Sequence, residues 1–393
     1  MTHPLTRREL LRRGVAGGAA LAAPSLLAAC GGGGGIEGEE ETTREETQAT
    51  ADTTLAKTLT ISNWPLYIDV DDKTKRRPTV EQFKKKYGVD VKYIEDVNDN
   101  EEWFGKFQAQ LSQGQPIGRD VTVLTDWMAS RMVRLGYVEK VAKEAVPNAD
   151  NLIEALRHPR WDENRDYSLP WQSGLTGIAY NEKKLGRAIT TMDELLTNRE
   201  LRGKVTALSE MPDTIGLIMQ ANGDDPTKVD PRAFDDAIAK LKDAVDSGQI
   251  RKFTGNDYAP LLAKGDVLAC TAWSGDVVQL QLENPDLKFA IPESGGMIWT
   301  DNMLIPKGGD VYTASTWMNF VYDPKIAARI EAYVNYICPV AGAKEAIESI
   351  DPSLAKNELI FPSETTLSRV KAFDTEAADN QEYREKFQAV IGA

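Results

Sequence analysis

The chain has 393 residues, more than one hydrophobic core usually organises, and its 41% apolar content supports globular folding in two domains. A formal charge of −14, from 60 acidic and 46 basic side chains, argues against nucleic acid, whose phosphates need Lys and Arg. It is compatible with cationic partners or with plain solubility.

Chain order begins with TRRELLRR (Thr6 to Arg13), a basic opening with adjacent arginines. GVAGGAALAAPSLLAAC (Gly14 to Cys30) follows, apolar and small, but too short and too rich in Gly and Ala for a good spanning helix. The ending Leu27-Ala28-Ala29-Cys30 resembles a bacterial lipobox, and Arg7-Arg8 resembles a twin-arginine export signal, with Glu9 where that signal usually carries a more apolar residue. These resemblances imply that residues 1–29 are an export signal and that Cys30 becomes the lipidated first residue of the mature protein. The protein would then sit on the outer face of the bacterial cytoplasmic membrane or in the periplasm, by the Sec or the twin-arginine route. The plainer alternative is an ordinary membrane anchor with an incidental cysteine. From Gly31 to Thr54 almost no large apolar residue occurs, so residues 30–56 are expected to be the lipidated cysteine and a disordered acidic tether. Such a tether has a reach of about 25–30 Å.

The body begins near Lys57. TLTISNW (Thr58 to Trp64) alternates and is β-branched, as a strand does. PTVEQFKKKYG (Pro78 to Gly88) has a helix pattern with a glycine stop, VDVKYIEDV (Val89 to Val97) is the next strand, and WFGKFQAQLSQG (Trp103 to Gly114) is helical. DVTVLTD (Asp120 to Asp126) is a short buried strand and WMASRMVRLG (Trp127 to Gly136) a helix. Strands alternating with helices predict a parallel sheet covered on both faces, with the carboxyl ends of its strands as the binding edge. YSLPWQSGLTGIAYN (Tyr167 to Asn181) breaks that rhythm as an extended segment suited to carry the chain between lobes. A second series follows: a strand at KVTALS (Lys204 to Ser209), a helix around Thr214 to Gly223 and a helix from Pro231 to Gly248. In the last of these Phe234, Ile238, Leu241 and Val245 form an apolar face. DVLACTAW (Asp266 to Trp273) is a strand, GGMIWTDNMLIP (Gly295 to Pro306) a buried strand leading back to the first lobe, and ARIEAYVNYICPV (Ala328 to Val340) a helix halted before Pro339.

Aromatic and acidic residues recur together at the predicted strand ends. Trp64 and Tyr67 follow the first strand, and Thr125, Asp126 and Trp127 close the third. Glu210 and Asp213 follow the first strand of the second series, Trp273 and Asp276 follow the next, and Trp299 and Asp301 lie in the apolar run. No Lys or Arg stands in TALSEMPD, TAWSGD or IWTDN. A buried carboxylate needs a cation. Carboxylates beside tryptophan faces suit a linear amine: the acids bond the ammonium groups for roughly 1.5–3 kcal/mol each, and the indoles cover the methylenes. Each element also has a structural explanation. A lone Trp is more often core, and Glu210, Asp213 and Asp276 fall where acids cap helices. Only Cys270 and Cys338 remain in the body, too few for a disulfide scaffold, and whether they pair stays open. With His3 in the signal and His158 in a polar loop, a His-rich metal site is excluded and a Ser-His-Asp arrangement has little support.

ISNWPLYI, DVTVLTDWM, YSLPWQSGLTGIAYN, TAWSGDVVQ and GGMIWTDNMLIPKG, in this order over roughly Leu59 to Phe373, resemble the substrate-binding subunits of spermidine/putrescine ABC transporters. The resemblance implies an α/β, two-lobe periplasmic-binding-protein fold of type II character, each lobe a sheet flanked by helices, joined by crossing hinge strands. It divides the body into 57–172 with 301–345, and 173–300 with 346–393. It also implies a polyamine ligand, an ABC permease and its ATPase as partners, a monomer, no cofactor, no metal and no catalysis. Carried over, Trp64 lies at one end of the groove, Thr125 is a hydroxyl contact and Trp127 an aromatic wall. Asp213 binds an amine with Glu210 as a second acid, and Trp273 stacks on the aliphatic chain. Asp276 matches an aspartate of the putrescine-preferring branch, Trp299 a wall, and Asp301 a principal amine-binding carboxylate. Cys338 stands where a tyrosine is often found, and a late polar position falls near Phe373. The competing readings are a binder of sugar or another organic cation, and a secreted glycosidase with Glu210 and Asp213 as its carboxylate pair. An Fe(III) binder would want clustered tyrosines, where the candidate loops offer only Tyr67.

Overall fold

The structure, a computed structural model, describes residues 53–392 apart from 72 and 98. The predicted export signal, Cys30 and nearly all of the acidic tether lie outside the described residues. The strands are β1 (Thr58–Asn63), β2 (Asp90–Glu95), β3 (Val121–Thr125), β4 (Val138–Glu139), β5 (Ser168–Asn181), β6 (Val205–Leu208), β7 (Ile250–Thr254), β8 (Ala269–Trp273), β9 (Leu287–Ala290), β10 (Gly296–Pro306) and β11 (Val370–Lys371). They pair in the order β2-β1-β3-β10-β5-β8-β6-β7, with β4 and β11 on β10 and β9 on β5.

Two parallel groups flank an antiparallel centre. β1 runs parallel to β2 and β3, and β6 parallel to β7 and β8. Between them lie β5 and β10, antiparallel to each other and to β8 and β3 respectively. β5 is buried along its whole length, as a strand in mid-sheet must be. The Ser168–Gln172 half of β5 faces the end of β10 that pairs with β3, and its Thr176–Tyr180 half faces β8. These are the crossing strands that join the lobes. Pro170 has no N–H for the ladder, and here the register slips: Asp301 faces Gln172, but Asn302 faces Pro170, skipping Trp171. The bulge therefore falls beside Asp301.

The helices start and stop at prolines, glycines and capping side chains. Pro78–Tyr87 begins on a proline and ends at Gly88, whose φ of 73° only glycine adopts cheaply and whose N–H bonds the Lys84 carbonyl. The next helix begins at Asn100, earlier than its apolar pattern, because the Asp99 carboxylate accepts the N–H groups of Glu101 and Glu102. Pro231–Asp246 buries Phe234 and Leu241 as its periodicity requires. The helix expected over Ala328–Val340 occupies Pro324–Val334 instead, because Asn335 turns left-handed at φ 58°. Residues 335–340 are thereby freed to run under β5, where Ile337 bonds Ser173.

Two main cores result. One gathers Leu59, Ile61, Val123, Trp171, Met303 and Trp317, and the other Ile178, Leu196, Val205, Ile215, Phe234 and Leu241. Ile347, Leu354 and Ile360 pack in the first core, so the segment that follows residue 345 stays with it, where the sequence partition had moved to the second lobe. The C-terminal segment is a third link. Phe373 packs against the second core and against the Trp103–Trp127 cluster of the first lobe, and the helix Gln381–Ile391 lies on the second core through Tyr383 and Phe387. Glu101 ties it down, accepting from Arg131 at 2.9 and 3.0 Å and from Arg384. Cys270 and Cys338 are both free and buried.

Candidate functional site

A cleft of about 1270 Å³ lies at the carboxyl ends of both parallel groups, and every site residue expected in the body lines it: Trp64, Thr125, Asp126, Trp127, Glu210, Asp213, Trp273, Asp276, Trp299 and Asp301. The topology explains the gathering. β1, β3, β6 and β8 all point at one gap, and β10 crosses it.

Asp301 is 5% exposed and held by two hydroxyls. Tyr67 donates to its Oδ2 at 2.9 Å and Thr125, its register partner on β3, donates to its Oδ1 at 2.7 Å. Asn100 Nδ2 donates in turn to Thr125 Oγ1 at 3.0 Å. Burial pushes the Asp301 carboxyl up to about 7, against the two hydrogen bonds that lower it, and repulsion from Asp126 and Asp213 adds to the rise.

Asp213, 7% exposed, is built the same way from the other lobe. Thr176 on β5 donates to its Oδ1 at 2.6 Å and the Trp273 indole donates to its Oδ2 at 2.9 Å. The Trp299 indole donates to Thr176 Oγ1 at 3.1 Å. Burial raises this carboxyl to about 6, opposed by the bonds from Thr176 and Trp273. Among the described residues no ion pair reaches Asp213, Asp301 or Glu210. Each aspartate receives two donors, and a carboxylate has about four acceptor positions. Both keep capacity for an ammonium.

The other three acids differ. Glu210 occupies the N-cap position of the helix Met211–Asn222, yet its side chain does not cap it. It is half-buried, and burial followed by repulsion from Asp99, Asp213 and Asp301 pushes its carboxyl well above the usual range. Helix capping thus does not account for it. Asp276, 2% exposed, accepts from Asn256 at 2.8 Å, Tyr258 at 2.9 Å and Tyr336 at 3.0 Å. Neutral donors from distant segments already occupy most of its capacity. Asp126 accepts from Asn302 at 2.8 Å, and burial raises its carboxyl to about 6 against the opposing pull of Arg165. That guanidinium is buried on Ser168 and Asn302, so Asp126 has a cation from its own chain.

The aromatic wall is one edge-to-face series. Tyr67 meets Tyr336 at 5.6 Å between ring centroids, Tyr336 meets Trp299 at 5.5 Å, and Trp299 meets Trp273 at 6.5 Å. Tyr336, two residues before Cys338, supplies a ring to this wall that the sequence did not single out. The expected helix hid it, and the left-handed Asn335 delivers it. Two glycines make room for this wall. A Cβ on Gly174 would stand 2.3 Å from the Trp299 ring, and one on Gly275 2.7 Å from Tyr336. Trp64 lines the cleft, and among the described residues its buried indole N–H has no acceptor. Trp127 is mostly core, with the Arg131 guanidinium 5.1 Å from its ring centroid. Phe373 lines the cleft and packs on both lobes. Thr176 was not singled out in the sequence, where a threonine in an apolar strand reads only as a β-former.

With this geometry in hand, comparison with known proteins places the chain. The spermidine/putrescine-binding periplasmic protein of Escherichia coli (strain K12) is 22% identical over 332 residues, 84% of this chain and 90% of that protein. The putrescine-binding periplasmic protein PotF of the same organism is 27% identical over 348 residues, 82% of this chain and 87% of that protein. The solved structure of the TpPotD lipoprotein of Treponema pallidum superposes with a TM-score of 0.72 at 23% identity, covering 86% of this chain and all of that one, and so shares the two-lobe fold. The model of the bacterial extracellular solute-binding protein family matches residues 79–362, most of the body. The chain belongs to the bacterial extracellular solute-binding protein family.

Proposed function

We propose that the protein is the extracytoplasmic binding component of an ABC importer, and that it takes up a polyamine of the spermidine or putrescine type between its lobes. One observation carries this reading: Asp213 and Asp301 are buried, each clamped by two neutral donors, and among the described residues neither has a cation of its own. A flexible amine supplies two or more charges at once, with methylenes between them. Ammonium groups would bond Asp301 at one end and Asp213 with Glu210 at the other. Trp273, Trp299 and Tyr336 would cover the carbon chain, and Trp64 and Thr125 would border the Asp301 end. Asp276 would act mainly through Tyr336, and Asp126 through Asn302. The names of the similar proteins support the same ligand class.

The cleft is larger than the ~300–1,000 Å³ typical of pockets that enclose a small molecule. Closure of the lobes about β5 and β10 would complete the site. The lobes so joined are 57–172 with 301–360, and 173–300 with the C-terminal segment. Delivery would be to an ABC permease driven by its ATPase, by a monomer lipid-anchored at Cys30, and the cleft would do no chemistry. A thermal-shift panel tests the ligand class: putrescine and spermidine raise the melting temperature and neutral sugars leave it unchanged. A sugar that shifts it where no amine does would overturn the reading.

A further inference from the structure

We infer that Thr176 is a positioning residue of the cleft: its hydroxyl locks Trp299 and Asp213 into one unit and so sets how tightly an amine is held, an inference that rests on the polyamine reading above. Thr176 is fully buried on β5, facing Met297 of β10 on one side and Trp273 of β8 on the other. Its oxygen accepts the Trp299 indole N–H at 3.1 Å and its proton goes to Asp213 Oδ1 at 2.6 Å. An indole N–H only donates, and a hydroxyl has a single proton. The order of donors therefore runs one way, from Trp299 through Thr176 to Asp213, and Trp273 donates to the other oxygen of the same carboxylate. That polarity favours Asp213 as the anion, the form an ammonium needs.

The unit also touches both cores. Trp299 packs against the first core, and Asp213 sits in the first turn of a helix that belongs to the second. The crossing strand carries the hydroxyl that connects them. The Asp301 clamp repeats the scheme, from Asn100 through Thr125 to Oδ1, with Tyr67 on Oδ2. The two carboxylates are thus presented by the same device, a donor-only N–H that orients a threonine and an aromatic donor on the far oxygen. Valine at 176 keeps the branched shape but strands the indole N–H and removes one of two bonds from Asp213.

The test is calorimetric titration of Thr176→Val and Thr176→Ser with putrescine and spermidine at several pH values, together with near-ultraviolet circular dichroism of the ligand-free proteins. Thr176→Val is expected to bind about tenfold or more weakly at pH 8, the loss widening toward pH 6 because Asp213 has lost a bond that favours its anion. Thr176→Ser is expected to restore binding to within about threefold, since it keeps the same hydrogen bonds. Thr176→Ala, which removes the hydroxyl without the branch, serves if the valine variant folds poorly. Wild-type affinity and pH profile in Thr176→Val, or equal losses in the Val and Ser variants, overturn the proposal. If the wild type binds neither amine, the reading of function falls instead. The indole spectrum then decides the positioning role, and an unchanged spectrum in Thr176→Val overturns it.

Discussion

Amine binding to this cleft should release protons and weaken steeply in acid. Burial raises Asp301 to about 7 and Asp213 to about 6, while the ligand's amines, Lys-like, stay charged across this range. Binding must then ionise both acids. If both are fully ionised in the complex, affinity falls about 20-fold from pH 8 to pH 6 and about 1000-fold by pH 5. Proton release on binding rises from about 0.1 at pH 8 to about 1.4 at pH 6, and Glu210 adds to it. The sign for stability is opposite. A carboxyl raised in the folded protein contributes stability present below its ordinary value of 3.8, lost as pH rises through 6 to 7. The ligand-free protein should therefore lose stability across that window and the amine should restore it. Titration calorimetry in buffers of low and high ionisation enthalpy measures the proton count directly. A flat affinity from pH 8 to pH 5.5 with no proton release would refute the reasoning, because it would mean that neither buried acid changes its protonation for the ligand.

Asp301→Asn removes the charge while keeping the shape, and should weaken polyamine binding by about tenfold or more at pH 8, measured by calorimetry. Unchanged affinity would take Asp301 out of the site. Gly174→Ala places a methyl where the Trp299 ring lies, so it should displace the indole and weaken binding, seen as a changed tryptophan emission and a raised Kd. Tyr336→Phe keeps the ring over the cleft and removes one donor from Asp276, whereas Tyr336→Ala removes both. Binding should therefore fall less than about tenfold in the first and further in the second.

The sequence carries the strand ends well, because β-branched alternation and glycine stops are local signals. β1, β3, β8 and β10 lie where the residues predict, and the acids and tryptophans that follow them meet in one cleft. What stayed hidden depends on partners far apart in the chain. Asp276 lies on the expected edge, but its saturation by Asn256, Tyr258 and Tyr336 needs the third dimension. Asp126 looked like Asp213 and Asp301 until Arg165, from a loop, approached it. Tyr336 was masked by a helical pattern that runs past a left-handed asparagine, a break with no glycine or proline to announce it. The end of the first lobe was placed too early because Ile347 and Ile360 read as any apolar residues, and which core they fill is a tertiary fact.

On this reading an acid-lined, indole-walled cleft between two lobes completes itself with a multivalent amine. Equilibrium dialysis of radiolabelled putrescine and spermidine against the purified protein at pH 8 tests it most directly. Saturable retention of one amine per protein is expected, displaced by unlabelled amine and not by neutral sugar. Retention of neither amine at millimolar concentration would contradict it.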